Sequence, residues 1–224
     1  MKLRVAAALA WRALAPRGGG HGLAGAVAAM GLSLVPLVLV LVVSNGMIEG
    51  ITRRLIEAGT YHVQVALPAA LPDDELERLL DGVRRLPAVR LAFAETQGLA
   101  LVYSPRARLG LQLRAVPADL YASDEGLRQT LRLEAGSFEL ASRSVVLGRP
   151  VADELGVGVG EEIRLLTARP VRGRFVPRVS RFVVSGLFSS GYQELDRGWV
   201  YCSREDGRQI LPSGAGRLVL AVKL

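Results

Sequence analysis

Residues 18–48 contain no Asp, Glu, Lys or Arg, and over 32–43 they read Leu-Ser-Leu-Val-Pro-Leu-Val-Leu-Val-Leu-Val-Val. A segment of this length must be held in a membrane or buried whole. As a helix, about 20 apolar residues cross about 30 Å of hydrocarbon, and one central Arg or Lys would cost roughly 2.5–3.5 kcal/mol. Residues 22–48 are therefore expected to form one transmembrane helix. Lys2, Arg4, Arg12 and Arg17 precede it without an acidic residue, whereas Glu49, Arg53, Arg54 and Glu57 follow with balanced signs. The bias of basic residues toward the cytoplasm predicts a cytoplasmic basic and amphipathic segment over 1–21 and sets 49–224 on the far side of the membrane. A cleaved signal peptide has a shorter apolar core, about 7–15 residues, and ends in a small-residue cleavage site that is missing after Val43. No cysteine closes the run either, so the chain is not read as a lipoprotein itself. A helix buried in a soluble domain would be amphipathic or shorter.

The rest of the chain is long enough for one sizeable domain or two small ones. A net charge of +7 and a pI near 10.3 raise the question of nucleic acid. Part of that excess is the basic lead and part a local cluster, and no helix-turn-helix, zinc-finger or RNP pattern accompanies it, so no nucleic-acid partner is expected. Cys202 is the single cysteine, so stability must come from the core rather than from disulfides. Catalytic chemistry has few residues to draw on. His21 lies before the span and His62 after it, and there is neither a His-Glu-x-x-His motif nor a cysteine pair. The run Gly-Val-Gly-Val-Gly over 156–160 lacks the Gly-Lys-Ser/Thr ending of a nucleotide loop and reads as a turn. No catalytic residue, metal site or resident cofactor is expected in this chain.

Alternation over 62–67 predicts a strand. Over 73–86, Leu76, Leu79, Leu80, Val83 and Leu86 share one helical face, with acids at the start, Arg84 and Arg85 at the end, and Pro87 to stop the helix. Residues 89–103 and 109–116 read as strands and 124–131 as a short helix. From 143 onward the texture is short β segments at 144–147, 161–167, 180–188 and 199–201, with a helical turn at 151–155. The expected fold class is α+β, with a first subdomain over about 60–142 and a mostly β second one over about 143–224. The final residues, 219–224, read as a strand that is incomplete where the sequence stops.

Between Arg164 and Gln193 there is no acid but there are six arginines, at 164, 169, 172, 174, 178 and 181. The flanks 163–167 and 181–185 look like paired strands, so 168–180 should project as a hairpin or loop. Pro170 and Pro177 remove backbone donors from it. Arginines alternating with Val171, Phe175, Val176 and Val179 offer both charge steering and apolar anchors, as a docking element for an acidic partner or lipid headgroups would. A solvated flexible loop has the same composition.

Several motifs, in order, resemble the permease subunits of lipoprotein-releasing ABC transporters, the Lol family, within the wider group of MacB-type permeases. They are Ala-Trp-Arg-Ala-Leu at 10–14, Ser-Asn-Gly-Met at 44–47, Ala-Val-Pro-Ala-Asp at 115–119, Val-Val-Leu-Gly at 145–148, Ala-Asp-Glu-Leu-Gly at 152–156 and Gly-Glu-Glu-Ile at 160–163. The resemblance implies a MacB-like periplasmic core after the first membrane helix and a hook loop that engages a periplasmic lipoprotein carrier. Carried over, the hook residues are Arg169, Arg172, Arg174, Phe175, Pro177 and Arg178. Leu39, Val42, Val43 and Met47 would line a lipid-accessible cavity for acyl chains, although lipid-facing packing explains them equally. The implied partners are an ATPase subunit carrying ATP and Mg, a second permease copy or paralogue, the carrier, the lipoprotein substrate and membrane lipid. The chain would be the N-terminal part of such a permease in the inner membrane, followed by further transmembrane helices and not itself an enzyme. The alternatives are a mechanotransmitting permease that activates a cell-wall hydrolase, or a single-span anchored binding domain.

Overall fold

The computed structural model describes residues 21–69, 71–171, 174–211 and 216–224, with the side chains of 21–24, 169–171 and 175 left aside. The expected segment 1–21 falls outside these residues, except for His21. The chain divides into two units, Met1–Ile51 and Thr52–Leu224.

Helix α1, His21–Leu55, is 35 residues long and would span about 52 Å at 1.5 Å per residue. It runs past the expected end at 48. Glu49, Arg53 and Arg54 are good helix formers, and neither proline nor a glycine in a left-handed conformation stops them. Pro36 lies inside the helix and leaves the carbonyl four residues back without its donor, a defect that membrane helices tolerate. Ser33 donates its hydroxyl to the Met30 carbonyl at 2.8 Å. A single π turn, Ile56–Thr60, follows and ends at Tyr61, whose φ of 55° is left-handed.

The outer unit is built on one nine-stranded sheet among the described residues. Its strands are β1 (Val63–Leu67), β2 (Leu91–Tyr103), β3 (Arg108–Val116), β4 (Arg132–Gly136), β5 (Ser144–Gly148), β6 (Glu162–Val171), β7 (Arg174–Ser189), β8 (Trp199–Ser203) and β9 (Gly216–Lys223). The order is β1-β9-β2-β3-β8-β5-β7-β4, and β6 pairs with both β2 and β7. Contacts β3/β8 and β5/β7 are parallel and the others antiparallel. Strand β9, from the end of the chain, lies between β1 and β2. Residues assigned by texture to 60–142 and to 143–224 therefore share one sheet.

Helices cover three apolar regions of the sheet. Helix α2 (Asp73–Arg84) buries Leu76 and Leu80 against Ala92, Ala94, Leu220 and Val222. Three acids in its first turn and Arg84 in its last suit the helix dipole. Helices α3 (Leu120–Ser123), α4 (Glu125–Thr130) and α6 (Gln193–Gly198) contribute Leu120, Leu127 and Leu195 to a second cluster with Ala58, Phe93 and Tyr201. Helices α5 (Arg149–Leu155) and α7 (Arg204–Ile210) close the third, over Val102, Leu113, Leu147, Leu165 and Val200. Cys202 is buried there and free. Helix α5 ends on Gly156 at φ 66°, a left-handed cap that glycine adopts without strain. The glycine run over 156–160 is thus a helix cap and turn, in agreement with the sequence. Helices α3, α6 and α7 went unread.

Candidate functional site: an arginine hairpin and a buried charged joint

Strands β6 and β7 form the expected hairpin, in register from Glu162↔Val183 to Val171↔Arg174. The two strands keep pairing through 168–171 and 174–177, a region the sequence left as hairpin or loop. Pro177 faces Ala168, and Pro170 faces Phe175, across the ladder. Of the hook residues, Arg174 and Pro177 are exposed, while Arg178 is half-buried and donates from Nη1 to the Gln209 carbonyl at 2.7 Å, tying the arm to α7. Arg169 and Phe175 sit on the paired strands without described side chains, and Arg172 lies outside the described residues. Val176 and Val179 are about half exposed, so the arm does present apolar side chains beside its charge.

Leu39, Val42, Val43 and Met47 all lie on α1, 57–65% exposed, on one broad face by their spacing. Their neighbours on α1 are exposed to a similar degree, so burial within this chain singles out no cavity-lining side.

Sequence reasoning missed the site with the strongest electrostatics. Arg114 of β3 is 1% exposed and Glu95 of β2 fully buried, with Arg114 Nη2 at 2.7 and 2.9 Å from the two Glu95 oxygens. The Tyr61 hydroxyl donates to Glu95 at 2.7 Å. The guanidinium also reaches the carbonyls of Ala58 and Gly59 at 2.5 and 3.1 Å and stacks 4.4 Å over Trp199. Nearby, Lys223 of β9 is fully buried, donating to the Glu57 carbonyl at 2.6 Å and to its carboxylate at 2.9 Å and pairing with Asp124. Asp124 in turn caps α4 by accepting from the Leu127 amide at 3.2 Å. Carbonyls 57–59 are among those a helix end leaves without intrahelical donors, and they lie at the negative end of its dipole. Two cations from the sheet satisfy them, so the π turn is held in place from β3 and β9.

Burial alone would lower the pKa of Arg114, but Glu95, Tyr61 and Tyr201 outweigh it and raise it. Burial pushes the Tyr61 hydroxyl well up, with Arg114 opposing and Glu95 adding to the rise. Burial likewise raises the Cys202 thiol, helped by Asp206. These groups stay in one protonation state near neutral pH, which suits a structural joint. His62 is exposed, its Nδ1 3.4 Å from the Leu224 amide, and no cluster of metal-ligating side chains occurs among the described residues. The sequence held one signal for the joint: charged Glu95, Arg114 and Lys223 each follow an apolar residue in a strand segment.

The profile of the MacB-like periplasmic core domain matches residues 23–223. The lipoprotein-releasing system transmembrane protein LolC of Xylella fastidiosa (strain Temecula1) is 28% identical over 185 residues, which are 80% of this chain and 44% of that protein. LolC of Neisseria meningitidis serogroup B is 24% identical over 188 residues, 81% of this chain and 44% of that protein. The chain thus spans less than half the length of these relatives. Among solved structures, the periplasmic region of MacB from Actinobacillus actinomycetemcomitans aligns with a TM-score of 0.43 at 12% identity, over 72% of this chain and 67% of that one. The extracellular domain of the noncanonic ABC-type transporter YknZ from Gram-positive bacteria aligns at 0.44 and 11%, over 72% and 84%. With the profile matched over nearly its whole length, the chain belongs to the MacB-like periplasmic core domain family.

Proposed function

We propose that this chain is the N-terminal part of an ABC transporter permease that extracts lipoproteins from the inner membrane and hands them to a periplasmic carrier. The observation that carries the reading is one long apolar helix, 0% buried over its most apolar stretch, that lies inside the same 23–223 match to the family core domain. The names of the LolC relatives support lipoprotein release as the specific activity. In this reading α1 spans the membrane with its N-terminus in the cytoplasm, and ATP and Mg are bound by a separate ATPase subunit. A second permease copy or paralogue completes the membrane cavity. The chain does no covalent chemistry. Its work is to bind and guide: Leu39, Val42, Val43 and Met47 face the acyl chains of the substrate, and the β6–β7 arm, through Arg169, Arg172, Arg174, Phe175, Pro177 and Arg178, docks an acidic face of the carrier. Charge on the arm would speed encounter, and the exposed valines would supply contact area.

The test is gentle extraction of the tagged natural gene product from its own membranes, followed by mass analysis of what co-purifies. An ATPase subunit in the complex, and ATP-driven transfer of a lipoprotein from proteoliposomes to a soluble periplasmic fraction, are the expected results. A product that purifies without an ATPase would refute the permease reading.

A further inference from the structure

Along β2 the odd-numbered side chains start under cover, with Phe93 2% and Glu95 0% exposed, and then emerge, with Leu99 80% exposed. The even-numbered Ala100 and Val102 stay in the core. Residues directly opposite in a ladder share a face. The register therefore sets Gly110 beside Leu101 on one side and Leu166 on the other, and Val179 and Pro177 across from Leu166 and Ala168. The outcome is an uncovered apolar strip on the outer face of β2, β6 and β7, bounded on β3 by Gly110 between Arg108 and Gln112. A groove of about 580 Å³ opens along it, lined by Leu99, Leu101, Gly110, Leu166, Ala168 and Pro177 among others, within the range of small-molecule sites, about 300–1,000 Å³.

The chemistry of the lining selects the occupant. Thr167 is the one polar side chain in it, and its hydroxyl already donates to the Ile210 carbonyl at 2.7 Å. The flanking strands are engaged in their own ladders. A peptide laid here would bury amides and carbonyls with little to pair them, which is costly, whereas a hydrocarbon chain has none to pair. Polarity returns at one end of the strip, where Arg108 and Arg164 flank Tyr103 in the ladder, Arg164 5.8 Å from its ring centroid. Neither arginine has a carboxylate within ion-pair distance among the described residues.

We propose that this outer-face groove binds a fatty acyl chain, with Arg108 and Arg164 placed for its carboxyl or ester end. The assignment rests on the lipoprotein-release reading only for the source of the chain, a protein-linked acyl group rather than a free fatty acid. The probe is palmitate carrying a photoactivatable diazirine, added to the full chain in nanodiscs, with cross-linked peptides mapped by mass spectrometry. Two sets of labels are expected, one on α1 from the bilayer and one on residues 99–111, 166–168 and 177. Gly110→Val fills the β3 side of the groove, and a Cβ at Gly110 meets nothing within 4 Å, so the fold should tolerate it. Leu99→Asp places a charge on the strip. Each should lower the outer-domain labels at least tenfold relative to the α1 labels, which serve as the internal standard. No outer-domain label in the parent chain, or labels unchanged in Gly110→Val with the near-ultraviolet circular dichroism intact, overturns the proposal. Free palmitate needs neither carrier nor ATPase. A natural gene product that labels at the groove but, purified with its ATPase, releases no lipoprotein keeps the acyl site and removes the release reading alone. The same complex carrying Gly110→Val that loses the label yet releases lipoprotein at the parental rate overturns the protein-linked source.

Discussion

Replacing Arg114 with Met tests whether the joint beneath the π turn holds the outer unit together. The substitution keeps most of the side-chain volume but leaves the carboxylate of Glu95, fully buried, without its countercharge. Removing one partner of a buried ion pair costs about 3–5 kcal/mol. The carbonyls of Ala58 and Gly59 lose their guanidinium donor as well, although Gln64 still reaches Gly59 at 2.9 Å. For a unit of this size each kcal/mol lowers the melting midpoint by about 2–4 °C, so a fall of about 6–20 °C is expected. The assay is thermal melting of the full chain in one fixed detergent, followed by near-ultraviolet circular dichroism, to which Trp199 beside Arg114 contributes. Glu95→Gln should also destabilise, and the double variant should lose about 0.5–3 kcal/mol less than the two single losses combined, because the uncompensated charge is gone. If the single losses are each below about 1 kcal/mol, or simply add in the double variant, the pair does not hold the joint and the reasoning fails.

Gly126→Ala should lower the melting midpoint by several degrees, since a Cβ there would stand 2.1 Å from the Glu57 carboxylate and push it off Lys223; the same change at Gly82, which meets nothing within 4 Å, should not. Alkaline stability follows from the raised Cys202 and Tyr61 groups. Both are held protonated in the fold but ionise near pH 8.5 and 10 when unfolded, so their stabilisation is complete below those values and is lost as pH rises toward the folded ones. The melting midpoint should fall steadily between about pH 8.5 and 11, and a flat profile would contradict the burial of both groups. A maleimide should leave Cys202 unmodified at pH 7 in the folded chain and label it on denaturation; rapid labelling of the native chain would contradict its burial. Arg172→Glu with Arg174→Glu should weaken capture of the carrier without changing the melting midpoint, and parental capture should itself weaken with salt. Unchanged capture in a pull-down would remove the arm from the docking surface.

What the sequence made legible follows the range of each interaction. The apolar helix, α2 with its stripe of leucines, and the β6–β7 hairpin are local, so period and punctuation revealed them. The π turn was invisible because it depends on Lys223 and Arg114, distant in sequence from the carbonyls they satisfy. The outer-face strip escaped for a related reason. Leu99, Leu166 and Pro177 become neighbours only through the ladder register, and in β2 a covered and an uncovered half share one alternating pattern. Within the arm, alternation located the charged hairpin but not its continued pairing, which two prolines argue against locally and the ladder tolerates.

The place of β9 also sets a clock on biogenesis. Among the described residues strand β1 pairs only with β9, and β9 fills the gap between β1 and β2. Lys223, which helps anchor the π turn, sits near the end of that same strand. The ribosome finishes β1 about 150 residues before it begins β9, a delay of roughly 7 to 30 seconds at 5–20 residues per second. Through that interval Val63 and Val65 have no ladder, and neither does the facing edge of β2. The sheet can close between β1 and β2 only when β9 arrives, which leaves this stretch of synthesis exposed to chaperones, proteases and mispairing with a neighbouring nascent chain.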